Sequence, residues 1–310
     1  MRVLLVGATG VVGRPLLPLL LAGGHQVYAT TTRTGRTAEL AAAGAEPVLL
    51  DVLDAETTSA AVRRIRPDAI VHQATALSAL GNNPRKFGTY FALTNRLRIE
   101  GTANLLAAAD AIGGARLVAQ SFCGWPYAPE AGPVKDEDAP LHPDPPAGLR
   151  ETLEAIRTLE RLAGRDGVVL RYGALYGPGT SLAPGGAQYE AVRKRAFPLL
   201  GPGSGVTSFV HVADAAAAAV AALTAGSGIY NIVDDEPAPV SEWLPALAAR
   251  VGGKPPLRLP GWLARLVAGD AAYYLMNHAR GGTNARAKRE LGFRPGYPSW
   301  RDGFATTVPS

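Results

Sequence analysis

The chain of 310 residues is poor in the features that mark secreted, membrane or nucleic-acid-binding proteins. Its single cysteine, Cys123, excludes an internal disulfide and favours a reducing, cytoplasmic location. No uninterrupted apolar run approaches the roughly 20 residues of a membrane span. The net charge is +5, but the densest basic cluster, Arg193-Lys194-Arg195, is too short for a nucleic-acid stripe. We therefore expect no membrane or nucleic-acid partner, and we assign no metal site.

The amino-terminal residues carry the strongest positive signal. An apolar run from Val3 to Val6 leads directly into a loop with glycines at positions 7, 10 and 13, and a helix-length apolar stretch follows through Leu21. Glycines in this context allow a tight turn and close approach of the backbone to a pyrophosphate, while the helix amino terminus offers unpaired N–H groups. A second strand begins at His25, which completes the βαβ context that the motif requires. The sequence therefore predicts a dinucleotide site here.

Strand-like runs alternate with helical segments along the chain. This alternation predicts an α/β fold with a doubly wound parallel sheet, a Rossmann architecture. We assign residues 1–178 to a dinucleotide-binding domain, to which 206–236 return, and residues 179–205 and 237–310 to a smaller C-terminal substrate-capping lobe. A helix is expected from Ala213 to Leu223, and a long loop from Pro126 to Pro146. The predicted strands are Val3 to Val6, Gln26 to Thr30, Pro47 to Leu50, Ala69 to His72, Leu117 to Gln120, Val168 to Leu170 and Ile229 to Val233.

Motifs spread over essentially the whole chain resemble those of extended short-chain dehydrogenases/reductases of the NAD-dependent epimerase/dehydratase type. The resemblance implies the same fold, a nicotinamide dinucleotide cofactor and a homodimer paired through two helices, Thr94 to Ala111 and Gly148 to Ala163. The matching pieces are Gly7-x-x-Gly10-x-x-Gly13, Asp51, Gly101-Thr102-Ala103-Asn104-Leu105-Leu106, Leu170-Arg171, Tyr176-Gly177-Pro178-Gly179, Phe209-Val210-His211-Val212-x-Asp214 and Tyr230-Asn231-Ile232.

The active-site pattern of that family is altered in this chain. The family normally uses a Ser or Thr, a Tyr, and a Lys four residues after the Tyr, so that the ammonium lowers the pKa of the phenol and holds the nicotinamide ribose. Counting back from Leu170-Arg171 places the Tyr position near Pro146 and the Lys position near Arg150, and the Ser/Thr position falls on Cys123. Arg150 can bind ribose hydroxyls, but a guanidinium is not an acid or base at neutral pH.

Two further positions bear on the substrate. Family members that act on nucleotide sugars usually carry an Asn and an Arg where this chain has Ala174 and Thr207. The usual anchors for a sugar diphosphate are therefore missing. This difference favours a small or apolar carbonyl, alcohol or enone over a nucleotide sugar.

The residues after the second strand indicate which dinucleotide is bound. NAD-selective members place an acid there, on the ribose 2′-hydroxyl, whereas this chain has two arginines and no acid. Because arginine pairs with a 2′-phosphate through charge-assisted hydrogen bonds, we predict NADP over NAD. The alternative is that both arginines are solvated loop residues. The predicted cofactor-binding residues are Gly7, Thr9, Gly10, Val11, Val12, Gly13, Arg33, Arg36, Asp51, Val52, Gln73, Ala74, Thr75, Ser121 and Arg150.

Candidate catalytic residues are Tyr127, Cys123 and Arg150. Tyr127 is the phenol closest to the expected nicotinamide end and is a candidate substitute proton donor; its alternative interpretation is a packed loop aromatic. Cys123 requires a neighbour that lowers its pKa, and otherwise is a small buried side chain. Five other residues are expected to be structural or peripheral: Tyr176 in a turn, His211 as a satisfied histidine, Asp214 at a helix start, and Glu154 with Glu160 on the surface or at a subunit contact.

Three functions remain open on these residues. The leading hypothesis is an NADP-dependent oxidoreductase in which Tyr127, a substrate group or water replaces the missing Tyr. A lyase, isomerase or cyclase on the same fold is one alternative, and a non-catalytic NADP-binding sensor is the other, because fold alone does not decide function.

Overall fold

The structure, a computed structural model, describes residues 1–77, 87–164 and 167–307. Its strands are β1 (Arg2–Val6), β2 (Gln26–Thr31), β3 (Glu46–Leu49), β4 (Ala69–His72), β5 (Arg116–Phe122), β6 (Val134–Lys135), β7 (Val168–Tyr172), β8 (Ala174–Tyr176), β9 (Leu199–Leu200), β10 (Val206–Thr207), β11 (Phe209–His211), β12 (Gly228–Ile232), β13 (Ala238–Pro239), β14 (Arg258–Leu259) and β15 (Gly281–Gly282).

The described helices include a 3₁₀ turn at Thr34–Arg36 and a π-helical segment at Leu97–Gly101, which joins α4 to α5. The α-helices are α1 (Gly13–Ala22), α2 (Thr37–Ala42), α3 (Ala55–Ile65), α4 (Phe87–Arg96), α5 (Thr102–Asp110), α6 (Ala147–Ala163), α7 (Ala187–Arg193), α8 (Val212–Ala221), α9 (Val240–Arg250), α10 (Gly261–Ala268), α11 (Asp270–Asn277), α12 (Ala285–Glu290) and α13 (Trp300–Thr307).

Seven strands form one parallel sheet in the order β12-β7-β5-β4-β1-β2-β3. All seven predicted strands are members of this sheet, and the doubly wound α/β fold is confirmed. The strand order reverses beside β1, and in open sheets of this kind a ligand lies in the crevice at the carboxyl ends of the strands, where the order reverses. The glycine loop after β1 is located at this point.

Alternating side chains of the sheet build two cores. Val3 and Leu5 of β1 belong to the cluster that packs against α1 and α8, whereas Leu4 and Val6 belong to the cluster beneath α3, α5 and α6. Both sheet faces are thus covered by helices, as the apolar strands require. The α8 helix also agrees with the prediction from Ala213 to Leu223.

The C-terminal region has its own aromatic cluster. It joins α9 and α13 to β8 and β11 through edge-to-face contacts of Phe209 with Tyr176, Trp243 and Phe304. The predicted loop from Pro126 to Pro146 is also tied to this region, because its β6 pairs with β15. The domain boundaries proposed from sequence stay an interpretation. Within the described ranges, no helix combines the length and apolarity of a membrane span.

Candidate functional site

The loop after β1 is shaped to hold a phosphate. Gly7 has a φ of +87°, and a Cβ at this position would lie 2.7 Å from the backbone nitrogen of Ala74. A Cβ on Gly13 would lie 2.2 Å from the carbonyl oxygen of Gly7, so neither glycine can be replaced without a backbone shift. Val12, at the N-cap of α1, provides no side-chain cap, and no acid occupies the first helical turn. The backbone N–H groups of Val12 and Gly13 have no acceptor among the described residues and are available to an anion, which fits a dinucleotide pyrophosphate.

Other predicted cofactor residues line the same edge of the sheet. Val52 is buried, and its carbonyl accepts a hydrogen bond of 2.9 Å from Asn104 Nδ2. Gln73 is buried at the end of β4 against Gly7, and Thr75 is partly exposed two residues further on. A shallow depression at the carboxyl ends of β2 and β3 is lined by Thr32, Leu49, Leu50, Asp51, Asp54 and Thr57. The structure therefore brings the glycine loop and the turns after β3 and β4 together, as the sequence analysis anticipated.

The two arginines after β2 have different surroundings. Arg33 is exposed, and its guanidinium has no hydrogen-bonding partner among the described residues. Arg36 donates to Glu39 Oε2 at 2.6 Å and must leave this ion pair to bind another anion. Arg33 is thus the better placed of the two for a 2′-phosphate.

A buried ion pair lies beneath the ends of β5 and β7. The Nε and Nη2 atoms of Arg171 donate to the two carboxylate oxygens of Glu160, each at 2.7 Å, and Ser121 Oγ donates to Glu160 Oε1 at 2.8 Å. The expectation that Glu160 lies on the surface is wrong: only 7% of it is exposed, because it falls on the buried stripe of α6. Glu154, on the opposite side of the helix, is exposed as expected. The Ser121 hydroxyl is engaged with protein in this arrangement.

Tyr127 and Cys123 belong to the same buried region. Tyr127 is fully buried; its hydroxyl donates to Asn231 Oδ1 at 2.7 Å and accepts from Arg171 Nη1 at 3.0 Å. Burial raises the pKa of Tyr127 above the usual phenol value, and it raises the pKa of the Cys123 thiol to about 12. These contacts favour the packed-aromatic interpretation of Tyr127 and the small buried side chain for Cys123. Neither group is poised to exchange a proton with a ligand.

The face of α6 that meets α4 carries neither a phenol nor an amine. Pro146 is the N-cap residue, and Arg150 lies exposed in the first turn, 3.0 Å from Asp144 Oδ1. Two buried positions of α6 with a spacing of four are Thr152, whose hydroxyl accepts from Asn95 of α4, and Ile156. The lack of a Tyr–Lys pair therefore holds whichever register is chosen. The exposure of Arg150 does not favour its predicted role on the cofactor.

Three further residues considered in the sequence analysis make contacts that stabilise the fold. His211 caps α8 by accepting from the Ala213 backbone N–H, and its ring stacks on Tyr297 at 3.8 Å. Tyr176 is buried among aromatic rings. Asp214 lies in the first turn of α8, but its carboxylate accepts from the backbone of Gly296 and Tyr297 and so fastens the C-terminal segment.

Sequence reasoning overlooked one buried charged residue, Arg98. It lies in the π-helical segment, is 5% exposed, and its Nε and Nη1 atoms have no hydrogen-bonding partner among the described residues. A signal was present, because Arg98 falls on the stripe of Thr94, Thr102 and Leu105, all fully buried. An arginine on such a stripe is rarely buried without a partner.

These features define a class: a dinucleotide-binding α/β protein of the doubly wound type whose crevice lies beside a glycine loop. The chain belongs to the NAD dependent epimerase/dehydratase family, whose model matches residues 3–233.

Three similar proteins refine this assignment. A 3-diazoavenalumate denitrifying reductase from a Streptomyces species is 47% identical over 98% of this chain and 99% of that protein. A 2-alkyl-3-oxoalkanoate reductase from Stenotrophomonas maltophilia is 30% identical over 81% of this chain and 76% of that protein. The structure of a UDP-glucose 4-epimerase from Thermotoga maritima superposes with a TM-score of 0.76 at 22% identity, over 99% of this chain and 97% of that one, which shows the shared fold.

The two sequence relatives are both reductases, and neither name denotes a nucleotide sugar. Together with the family membership, they make this chain an NAD(P)-dependent oxidoreductase. The prediction of an enzyme is confirmed at this level.

Proposed function

We propose that this protein is an NADPH-dependent reductase that removes the diazo group from a small carboxylate. Support for the diazo substrate comes from the name of the relative that is 47% identical over nearly the full length. Bound in the crevice, the nicotinamide nucleotide supplies a hydride. The observation that carries the proposal is the missing proton donor: no phenol or amine lies on the α6 face, and Tyr127 is buried and doubly hydrogen-bonded.

Reduction of a diazo group in its diazonium form suits a site without a protein proton donor. Hydride addition to a ketone produces an alkoxide, which requires a proton in the transition state, and positioned acids supply that proton in most reductases. In the diazonium case, R–N₂⁺ and H⁻ give R–H and N₂, and no protein proton is consumed. The residues of this chain then need only bind, orient and exclude water.

Arg33 supports the preference for the phosphorylated dinucleotide. Its guanidinium is exposed beside the end of β2 and has no partner within the described residues, so no ion pair has to break before a 2′-phosphate binds. No carboxylate follows β2 before Glu39, so the ribose hydroxyl contact typical of NAD-selective members is not provided by this stretch.

The experiment compares two substrate classes with the purified protein. A diazo-substituted aromatic carboxylate and a panel of ketones, including a 3-oxoalkanoate, are each incubated with NADPH, and NADPH absorbance and dinitrogen release are followed together. One N₂ released per NADPH oxidised supports the proposal. Ketone reduction without activity on the diazo compound would overturn it in favour of ketone reduction, and product formation without NADPH consumption would select the lyase or isomerase alternative.

A homodimer through α4 and α6 is part of the same proposal. Leu93 of α4 and Ile99 of the following π segment are 47% and 36% exposed, which leaves apolar surface beside the face of α4 that packs on α6. Sedimentation at micromolar concentration is expected to give a dimer, and Leu93→Glu is expected to shift it towards monomer. A monomer in the wild type would contradict this part.

A further inference from the structure

The surroundings of Arg98 are those expected of a side chain that binds a ligand. Its guanidinium is buried, yet Nε and Nη1 find no acceptor among the described residues. Donors of a charged group that are buried without an acceptor destabilise the fold, because their desolvation is not compensated. The π-helical segment that carries Arg98 is itself a rare conformation, and such segments occur frequently at functional sites.

The position of Arg98 follows from how α4 packs on α6. Near the start of both helices, a Cβ at Gly88 of α4 would lie 3.7 Å from the Gly148 carbonyl oxygen of α6. Further along both helices, Asn95 Nδ2 of α4 donates to Thr152 Oγ1 of α6 at 3.2 Å. The two helices therefore run in the same direction. Arg98, three residues after Asn95, therefore lies beyond Thr152 along the direction of α6.

The segment that carries Arg98 is held at the carboxyl end of β4, because Nε2 of His72 lies 3.2 Å from the carbonyl oxygen of Leu97, the residue before Arg98. Burial lowers the pKa of Arg98 to about 10, and the nearby Glu160 carboxylate opposes this shift, so the group is charged at neutral pH. Burial lowers the pKa of His72, the last residue of β4, to about 4, and the charge of Arg98 acts in the same direction. Glu160 already accepts from Arg171 and Ser121 through both of its oxygens. Within the ranges that the structure describes, the charge of Arg98 thus has no hydrogen-bonded partner.

We infer that Arg98 is the positioning cation for the nicotinamide half of the bound dinucleotide, where its N–H groups would donate to the ribose hydroxyls. This inference rests on the proposed cofactor site. The resemblance assigns that role to a lysine on α6; the α6 helix of this chain contains no lysine, and the cation comes from the π segment instead. Because a guanidinium does not release a proton at neutral pH, Arg98 anchors the cofactor without providing acid catalysis. This matches a reaction that needs no protein proton.

The test separates the two halves of the cofactor. Wild type, Arg98→Met and Arg98→Lys are titrated by calorimetry with NADPH and with 2′,5′-ADP, which lacks the nicotinamide riboside. Arg98→Met is expected to weaken NADPH binding about ten- to hundredfold, as the loss of hydrogen bonds to a charged group predicts, and to leave 2′,5′-ADP binding within about twofold. Arg98→Lys is expected to recover part of the NADPH affinity.

Arg116→Met is the matched control. Arg116 is a partly buried arginine at the amino end of β5, and its guanidinium donates to the carbonyls of Ala222, Ala225 and Gly226. Its removal is expected to lower the melting temperature and leave both affinities unchanged. In contrast, Arg98→Met is expected to melt at or above the wild-type temperature without cofactor, because two buried donors of Arg98 have no acceptor among the described residues.

The outcomes are distinguishable. Equal weakening of NADPH and 2′,5′-ADP binding, or no weakening of either, would overturn the inference about Arg98 while leaving the cofactor site intact. If the wild type bound neither NADPH nor NADH, the proposed function itself would fail. If Arg98→Met did not fold, Arg98→Lys provides the same comparison with the charge retained and the hydrogen-bonding fork lost.

Discussion

Tyr127→Phe distinguishes a structural phenol from a catalytic one. The change removes one hydroxyl and keeps the ring, so Asn231 Oδ1 and Arg171 Nη1 each lose a partner at 2.7 and 3.0 Å in a fully buried region. Loss of a buried hydrogen bond that leaves its partners unsatisfied lowers the free energy of unfolding by about 1–3 kcal/mol. We expect a loss of this size, measured by urea denaturation with tryptophan fluorescence.

Activity is expected to respond differently. If Tyr127 only packs, kcat for NADPH-dependent reduction stays within about twofold of wild type, whereas loss of a general acid typically lowers it by about 10²–10⁴-fold. Tyr28→Phe on β2 is the matched control, because Tyr28 is partly exposed and its expected stability change is within about 0.5 kcal/mol. A hundredfold fall in kcat for Tyr127→Phe with unchanged stability would refute the reasoning and restore Tyr127 as the proton donor.

Three further changes test the site. Glu160→Ala leaves the Arg171 charge buried and is expected to lower the free energy of unfolding by about 3–5 kcal/mol in chemical denaturation. The control Glu154→Ala, at an exposed position, is expected to change it by less than about 0.5 kcal/mol, and equal effects would contradict the buried ion pair. Arg33→Ser is expected to lower the NADPH over NADH affinity ratio about tenfold in fluorescence titrations, and an unchanged ratio would remove Arg33 from the 2′-phosphate site. Gly13→Ala places a Cβ against a backbone carbonyl and should abolish dinucleotide binding by calorimetry; wild-type affinity would contradict the glycine-loop site.

The strands of the main sheet could be predicted from the sequence, because each strand is marked by a local pattern of residues. Short apolar runs separated by helix-length segments identified every strand of the main sheet, and the glycine spacing located the phosphate loop. The burial of Glu160 was not foreseen, because it depends on the phase of α6 against the sheet and on a partner, Arg171, on a different strand. Helical spacing alone could have flagged it, since Leu149, Ile156 and Leu159 mark the same buried side.

Arg98 shows a different limit. The sequence shows that Arg98 falls on a buried helical stripe, but the π-helical segment shifts the phase of the helix. The lack of a hydrogen-bonding partner among the described residues can be recognised only from the packing of the neighbouring elements. The active-site departures illustrate the same limit. Counting along the chain placed the proton-donor position near Pro146, whereas the buried face of α6 carries Thr152 and Ile156. The count along the sequence and the structure of α6 agree that the phenol and the amine of the family's active site are missing.

The central claim is that reduction proceeds by hydride delivery without a proton from the protein. The most direct measurement is the origin of the new hydrogen in the product, followed by mass spectrometry with NADPH deuterated at the transferable C4 position, in ordinary water, on an aromatic diazo carboxylate. The account predicts that one deuterium appears on the carbon that carried the diazo group, with one dinitrogen released per NADPH consumed. A product whose new hydrogen comes from solvent would contradict it.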